Sequence, residues 1–89
     1  MEIPEPFQDQ ITIYSKSGCP NCTKVKHLLK EKNISFNIVD CDEYILENKE
    51  LFLSVINELS QIDIKQFPII FYDGILVGGY NETKEYISK

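Results

Sequence analysis

The run Tyr14-Ser15-Lys16-Ser17-Gly18-Cys19-Pro20-Asn21-Cys22 constrains this chain more than any other stretch. It joins a short β-branched and aromatic segment to an amphipathic one, and it sets two cysteines at the junction with the Cys-x-x-Cys spacing of a reversible dithiol. Cys19 falls where a helix would start, a place whose unpaired N–H groups and dipole favour negative charge. Pro20 suits the first helical position, where its missing N–H costs the helix nothing. Lys16 adds a positive charge three residues upstream. Such settings lower a cysteine pKa from about 8.5 to roughly 3.5–7.5. A thiol of pKa 8.5 is only ~3% ionised at pH 7, whereas one near 5 is almost wholly ionised. Nucleophilicity falls with pKa at a Brønsted slope of about 0.4–0.5, a loss of roughly 25–55-fold, so as an attacking group Cys19 about breaks even. The larger benefit is to Cys19 as a leaving group from a mixed disulfide. Cys22, one helical turn further in, is placed to resolve such an intermediate.

Eighty-nine residues allow one domain with a small core. No apolar run approaches the ~18 residues of a membrane helix. The start, Met1 to Pro6, is acidic and lacks the basic and apolar regions of a signal peptide. The expectation is therefore a cytoplasmic, reducing setting with no membrane partner, where Cys-x-x-Cys is catalytic or metal-binding rather than a staple. A net charge of −5 without a basic patch argues against a nucleic-acid partner. The chain has no Arg, so an anionic ligand must be held by Lys, backbone amides or a helix end. Zinc needs four ligands in a closed site. Cys41 and His27, the other soft candidates, sit at no zinc spacing, and no metal is expected.

Residues 1–9, with Pro4 and Pro6, read as an N-terminal arm, and residues 10–89 as the domain. Ile11-Thr12-Ile13-Tyr14 reads as the first strand. A helix follows from Pro20 to Lys32, with Cys22, Val25, Leu28 and Leu29 inward and Asn33 as its stop. Ile34 to Val39 forms a second strand, parallel to the first through a right-handed crossover. Glu43 to Gln61 is helical by pattern, with Leu51, Val55, Ile56 and Leu59 as its stripe. Ile69 to Tyr72 is a buried strand, and the Asp73-Gly74 turn pairs it with Ile75-Leu76-Val77. Asn81 or Tyr80 then opens a short last helix through Ile87. The order is β-α-β-α-β-β-α.

Three features now on the page resemble the glutaredoxins: Tyr14-Ser15-Lys16 before Cys19-Pro20-Asn21-Cys22, Phe67-Pro68 before a strand, and Gly78-Gly79 after the Asp73-Gly74 hairpin. Thioredoxin proper is less similar, since its tryptophan and Gly-Pro spacer are absent. The resemblance implies a thioredoxin-like α/β fold: a four-stranded mixed sheet, order 2-1-3-4, flanked by three helices, with a cis bond at Phe67-Pro68. It implies a monomeric enzyme of redox homeostasis and electron transport, acting on disulfide-containing proteins with glutathione as reducing co-substrate. Cys19 and Cys22 would be catalytic. The backbone of Phe67 beside Pro68 would pair with glutathione, and Lys16 would meet its glycine carboxylate. Gly79, Asn81 and Glu82 would surround the γ-glutamyl end, with Asn81 able to cap the last helix. Tyr14 reads as core with an exposed edge on the cleft.

The chain departs from the family in Gln66-Phe67, where Thr-Val is usual, and in Asn81-Glu82. Lys65 is the nearest substitute for a helix-borne Gln or Arg. These departures bear on glutathione more than on dithiol chemistry. Two rival readings remain: a module holding an iron–sulfur cluster on Cys19 and glutathione, and a thioredoxin-like electron donor that does not use glutathione. Cys41, between Asp40 and Asp42, reads as an unreactive thiol raised by like charge. His27 reads as a surface or packing residue.

Overall fold

Every residue of the strand Ile11–Ser15 (β1) is buried, which fixes it at the centre of the sheet. The computed structural model describes residues 3–60 and 66–88. After β1 come α1 (Pro20–Glu31), β2 (Phe36–Asp40), α2 (Asp42–Ser60), β3 (Ile69–Tyr72), β4 (Ile75–Gly78) and α3 (Tyr80–Ile87). The strand order is β2-β1-β3-β4, with β2 parallel to β1, and β3 antiparallel to both β1 and β4. The expected mixed sheet and its three helices are therefore present. Ile13 lies opposite Ile38 on one side and Ile70 on the other.

Alternation along the strands divides the core in two. Ile11, Ile13 and Ile70 meet Val25 and Leu29 of α1 on one face. Tyr14, Ile69 and Phe71 meet Phe52 and Ile56 of α2 on the other. Tyr72, expected to be buried with the rest of its strand, is 40% exposed at the far end. Asp73 and Gly74 both have positive φ, as a two-residue hairpin turn requires.

Helix α1 ends as a Schellman motif. Asn33 takes φ 57, its N–H donates to Lys30 O (3.1 Å), and the Ile34 N–H reaches back to Leu29 O (2.9 Å). Ile34 also joins Leu29 in the same core cluster. It therefore belongs to the cap, and β2 starts at Phe36 rather than at Ile34.

Helix α2 is two helices. Asn48 has extended backbone (φ −161, ψ 92), and its Oδ1 accepts the Leu51 N–H at 3.0 Å, the geometry of an N-cap inside what the pattern reads as one helix. The second segment turns Phe52 and Ile56 into the core and leaves Leu51 44% exposed, which corrects the stripe expected to start at Leu51. Gln61, the expected end of this helix, lies outside the described residues. Helix α3 opens at Tyr80 with Gly79 as N-cap, so Asn81 is a helical residue and not the cap.

Residues 3–10 run across the α2 face of the sheet. Ile3 packs on that core cluster, the Phe7 N–H donates to Thr12 Oγ1 (2.9 Å), and the Asp9 N–H donates to Asp73 Oδ1 (2.8 Å). The Tyr14 hydroxyl donates to Pro4 O, and Tyr14 is 0% exposed. Its expected edge on the cleft is absent because the arm covers that edge. Among the described residues no helix is long and apolar enough to cross a membrane.

Candidate active site

The chain leaves the centre of the sheet at Ser15 and must reach the start of α1 within four residues. Gly18 makes that turn with φ +71, a region costly to residues bearing a Cβ. A Cβ there would meet nothing within 4 Å, so the demand is on backbone conformation alone. The loop is tied from outside by the first residue of α2. Asp42 Oδ1 accepts the Ser17 N–H at 2.8 Å and Oδ2 accepts the Ser17 hydroxyl. The hydroxyl bond, then the amide bond, hold the Asp42 carboxyl below its ordinary value, with the charge of Lys16 assisting.

Cys19 is the N-cap of α1. Its backbone is extended (φ −108, ψ 101), Pro20 follows as the first helical residue, and its Sγ accepts the Cys22 N–H at 3.1 Å. The sulfur thus takes the place of the hydroxyl or carboxylate oxygen that usually caps a helix. Charge at this atom faces the positive end of the helix. The two cysteines are joined as a disulfide with Cα atoms 5.2 Å apart. Cys22 is 1% exposed, whereas Cys19 is partly open to solvent. An incoming sulfur can therefore reach Cys19 and not Cys22.

A cleft of about 340 Å³ opens beside Cys19, between Asn21 on α1 and Gln66-Phe67 on the loop before β3, with Lys16 at its margin. The Phe67-Pro68 bond is cis. The Lys16 ammonium stands 5.4 Å from the centre of the Phe67 ring. A second hollow of about 250 Å³ lies on the other flank of Cys19, lined by Ser17, Thr23, Lys26 and Asp40 among others.

The structure brings Lys16, Cys19 and Phe67 together at one cleft, with Cys22 bonded behind Cys19 and Pro68 buried beside Phe67. Gly79 adjoins this loop, since a Cβ on it would lie 3.6 Å from Pro68 O. Asn81 and Glu82 border different hollows on α3. The Glu82 carboxylate is already engaged, accepting the Gly79 N–H at 2.7 Å. Lys65 lies outside the described residues. His27 is exposed, as its surface reading expects. Sequence reasoning missed the Asp42–Ser17 tie, a contact across 25 residues, and the part played by Gln66 and Asn21 in the cleft wall. The aspartate following strand β2 was visible, but nothing in sequence pairs it with Ser17.

Cys41 is wholly buried. Burial first, then the charges of Asp40 and Asp42, push its thiol up to about 12. Burial likewise raises the Tyr14 phenol. Among the described residues no group of three or more His, Cys, Asp or Glu side chains converges.

A family model described as Glutaredoxin matches residues 11–77. Over 69 residues the chain is 38% identical to glutaredoxin 1 of Rickettsia felis, which covers 78% of this chain and 63% of that relative. It therefore spans less than two thirds of the relative's length. Among solved structures, glutaredoxin 1 from Francisella tularensis, crystallised with cacodylate, superposes with a TM-score of 0.77 at 30% identity, covering 89% of this chain and 92% of that one. A buckwheat glutaredoxin in complex with glutathione superposes with a TM-score of 0.68 at 17% identity, over 88% of this chain and 67% of that one, a likeness of fold.

Proposed function

We propose, because this chain belongs to the glutaredoxin family, that Cys19 and Cys22 are the exchanging dithiol of a thiol-disulfide oxidoreductase that draws its electrons from glutathione. The observation that carries the reading is the asymmetry of the pair. The open sulfur caps a helix and accepts an amide N–H, while its partner is 1% exposed.

The reaction follows from that asymmetry. The Cys19 thiolate attacks one sulfur of a substrate disulfide, forming a mixed disulfide and expelling the other sulfur as a thiolate that takes a proton from solvent. Cys22 loses its proton to solvent and attacks Cys19 Sγ. The substrate leaves reduced, and the Cys19–Cys22 disulfide remains. One glutathione thiolate opens that disulfide at Cys19, and a second removes the first as glutathione disulfide, returning two electrons to the protein. Helix capping makes Cys19 the better leaving group when the second glutathione attacks the sulfur of the first.

In this reading glutathione lies along the cleft, its backbone paired with that of Phe67 beside Pro68 and its glycine carboxylate near Lys16. Lys65 would assist at that end. The γ-glutamyl end lies toward Gly79, Asn81 and Glu82. The Gly79 amide is already given to Glu82, so an anion there would use the first-turn amides of Tyr80 and Asn81. Disulfide-bearing proteins and glutathionyl mixed disulfides are the proposed substrates, met by a monomer in the cytoplasm.

The Glu82 carboxylate at the Gly79 amide also favours a second reading, an electron donor that takes its electrons from thioredoxin reductase instead. Turnover with glutathione and glutathione reductase, set against turnover with thioredoxin reductase, separates the two. The proposal itself is tested with Cys22→Ser and Cys19→Ser. Cys22→Ser should lose protein-disulfide reduction and keep most deglutathionylation, and Cys19→Ser should lose both. A Cys19→Ser protein reducing a glutathionylated substrate at the parent rate would sink it.

A further inference from the structure

A column of rings leads from the core to the cleft. Tyr44 and Phe52 stack with centroids 6.1 Å apart and planes 4° apart, and Phe52 and Phe67 stack at 6.0 Å and 9°. Phe52 is wholly buried and meets Phe67 from inside, whereas Lys16, an exposed residue, sets its ammonium over the same ring from solvent.

The break in α2 is what permits the column. Residues eight apart in one continuous helix are displaced by about 12 Å along its axis, too far for two rings to stack. Tyr44 belongs to the segment before Asn48 and Phe52 to the segment after it. The Asn48 cap ends one direction and starts another, and the two rings close to 6.1 Å. The segment before the break also carries Asp42, the residue that ties Ser17. One short helical piece thus braces the active-site loop at Ser17 and supports the ring beneath Lys16.

We propose that broken helix α2 is the positioning element of the cleft: Phe52, backed by Tyr44, fixes the Phe67 ring, and that ring holds the Lys16 ammonium at the mouth beside Cys19. A lysine side chain free in solvent spreads its charge over many rotamers. An aromatic face attracts a cation and narrows that spread. Phe52, Tyr44 and Asn48 touch no reacting atom and act through Phe67 and Lys16. Among the described residues, the other charged groups near this region are Asp42 behind Ser17, and Asp40 and Lys26 on the second flank of Cys19. The inference rests on the reading of Cys19 as the exchanging sulfur and is independent of glutathione.

The test compares alkylation of Cys19 by iodoacetate, which is anionic, with alkylation by neutral iodoacetamide, at low ionic strength in a Cys22→Ser background. The ratio of the two rates reads local charge and is insensitive to a general loosening of the fold. Unit charges about 6 Å apart in water attract strongly enough to change a rate roughly threefold. Lys16→Gln should lower the ratio by about that factor. Phe67→Leu should lower it to nearly the same value with Lys16 still present, Phe67→Tyr should restore it, and Phe67→Leu combined with Lys16→Gln should fall no further. Asn48→Ala, which favours a continuous helix, should move the ratio in the same direction. Phe52→Leu should do so as well; if it does not fold, the partly buried Phe67 decides. A ratio in Phe67→Leu equal to that of the parent overturns the proposal, and so does a Lys16→Gln protein with an unchanged ratio. An unchanged ratio in Asn48→Ala overturns the role given to the break. A protein that shows the expected ratios yet forms no mixed disulfide with glutathione removes the glutathione reading and leaves this one standing.

Discussion

Raising the pH tests how deeply Cys41 is held in the core. Its thiol is pushed up from 9.0 to about 12 by burial, with the Asp40 and Asp42 charges adding to it. A rise of about three units leaves roughly a thousandfold less thiolate at pH 7 than in an unperturbed cysteine. The same rise acts on stability. Above pH 9.0 the unfolded chain gives up this proton while the folded chain keeps it, so the native state binds more protons and loses stability as pH climbs toward 12. At pH 10 the loss is about 1.4 kcal/mol, from RT ln(1 + 10). The measurement is denaturant unfolding at pH 7 and pH 10 in a Cys19→Ser/Cys22→Ser background, with and without Cys41→Ala. Every other residue is common to the two proteins, so the difference between their pH dependences reads Cys41. The protein retaining Cys41 should lose about 1.4 kcal/mol more between the two pH values than its Cys41→Ala counterpart. Identical pH dependence, or native-state labelling of Cys41 at pH 7 within tenfold of its rate in the unfolded chain, would refute the argument.

Gly18→Ala should destabilise by about 1–2 kcal/mol in denaturant unfolding, since φ +71 is the whole obstacle; Gly18→Asn should cost less. Gly78→Ala should cost more than Gly18→Ala, because φ is +132 there and the new Cβ would stand 2.7 Å from Glu82 Cβ. The bonds to Ser17 hold Asp42 low, so the tie is complete above the ordinary carboxylate range and is lost as pH falls through the depressed value. The Ser17 amide resonance should follow that titration and should be flat with pH in Asp42→Asn.

The parts of the molecule legible in sequence were those written in local chemistry. Cys19-Pro20 at a strand-to-helix junction, Asp73-Gly74 between two apolar runs, and the β-branched centre of β1 each carry their own geometry within a few residues. Together they gave the element order and the dithiol. The sheet order, the cis bond at Phe67-Pro68 and the cleft residues came from family resemblance. What the sequence hid depends on partners distant in the chain or on one residue with two uses. Ile34 looks like the start of a strand but closes the cap of α1. Asn48 sits inside a helical pattern, yet its side chain starts a second helix, which rotates Phe52 inward and Leu51 outward. Tyr14 reads as a cleft edge until the Pro4 carbonyl covers it. Asp42 reads as a neighbour of Cys41, and its hold on Ser17 appears only once β1 and β2 are paired.

The central claim is that the amide of Cys22 and the start of α1 hold Cys19 as an anion at neutral pH. The direct measurement is the rate of Cys19 alkylation by iodoacetamide against pH, in fully reduced protein with modification mapped by mass. The rate should be half-maximal within roughly pH 3.5–7.5. A rate that rises only around pH 8.5, the value for a free cysteine, would contradict it.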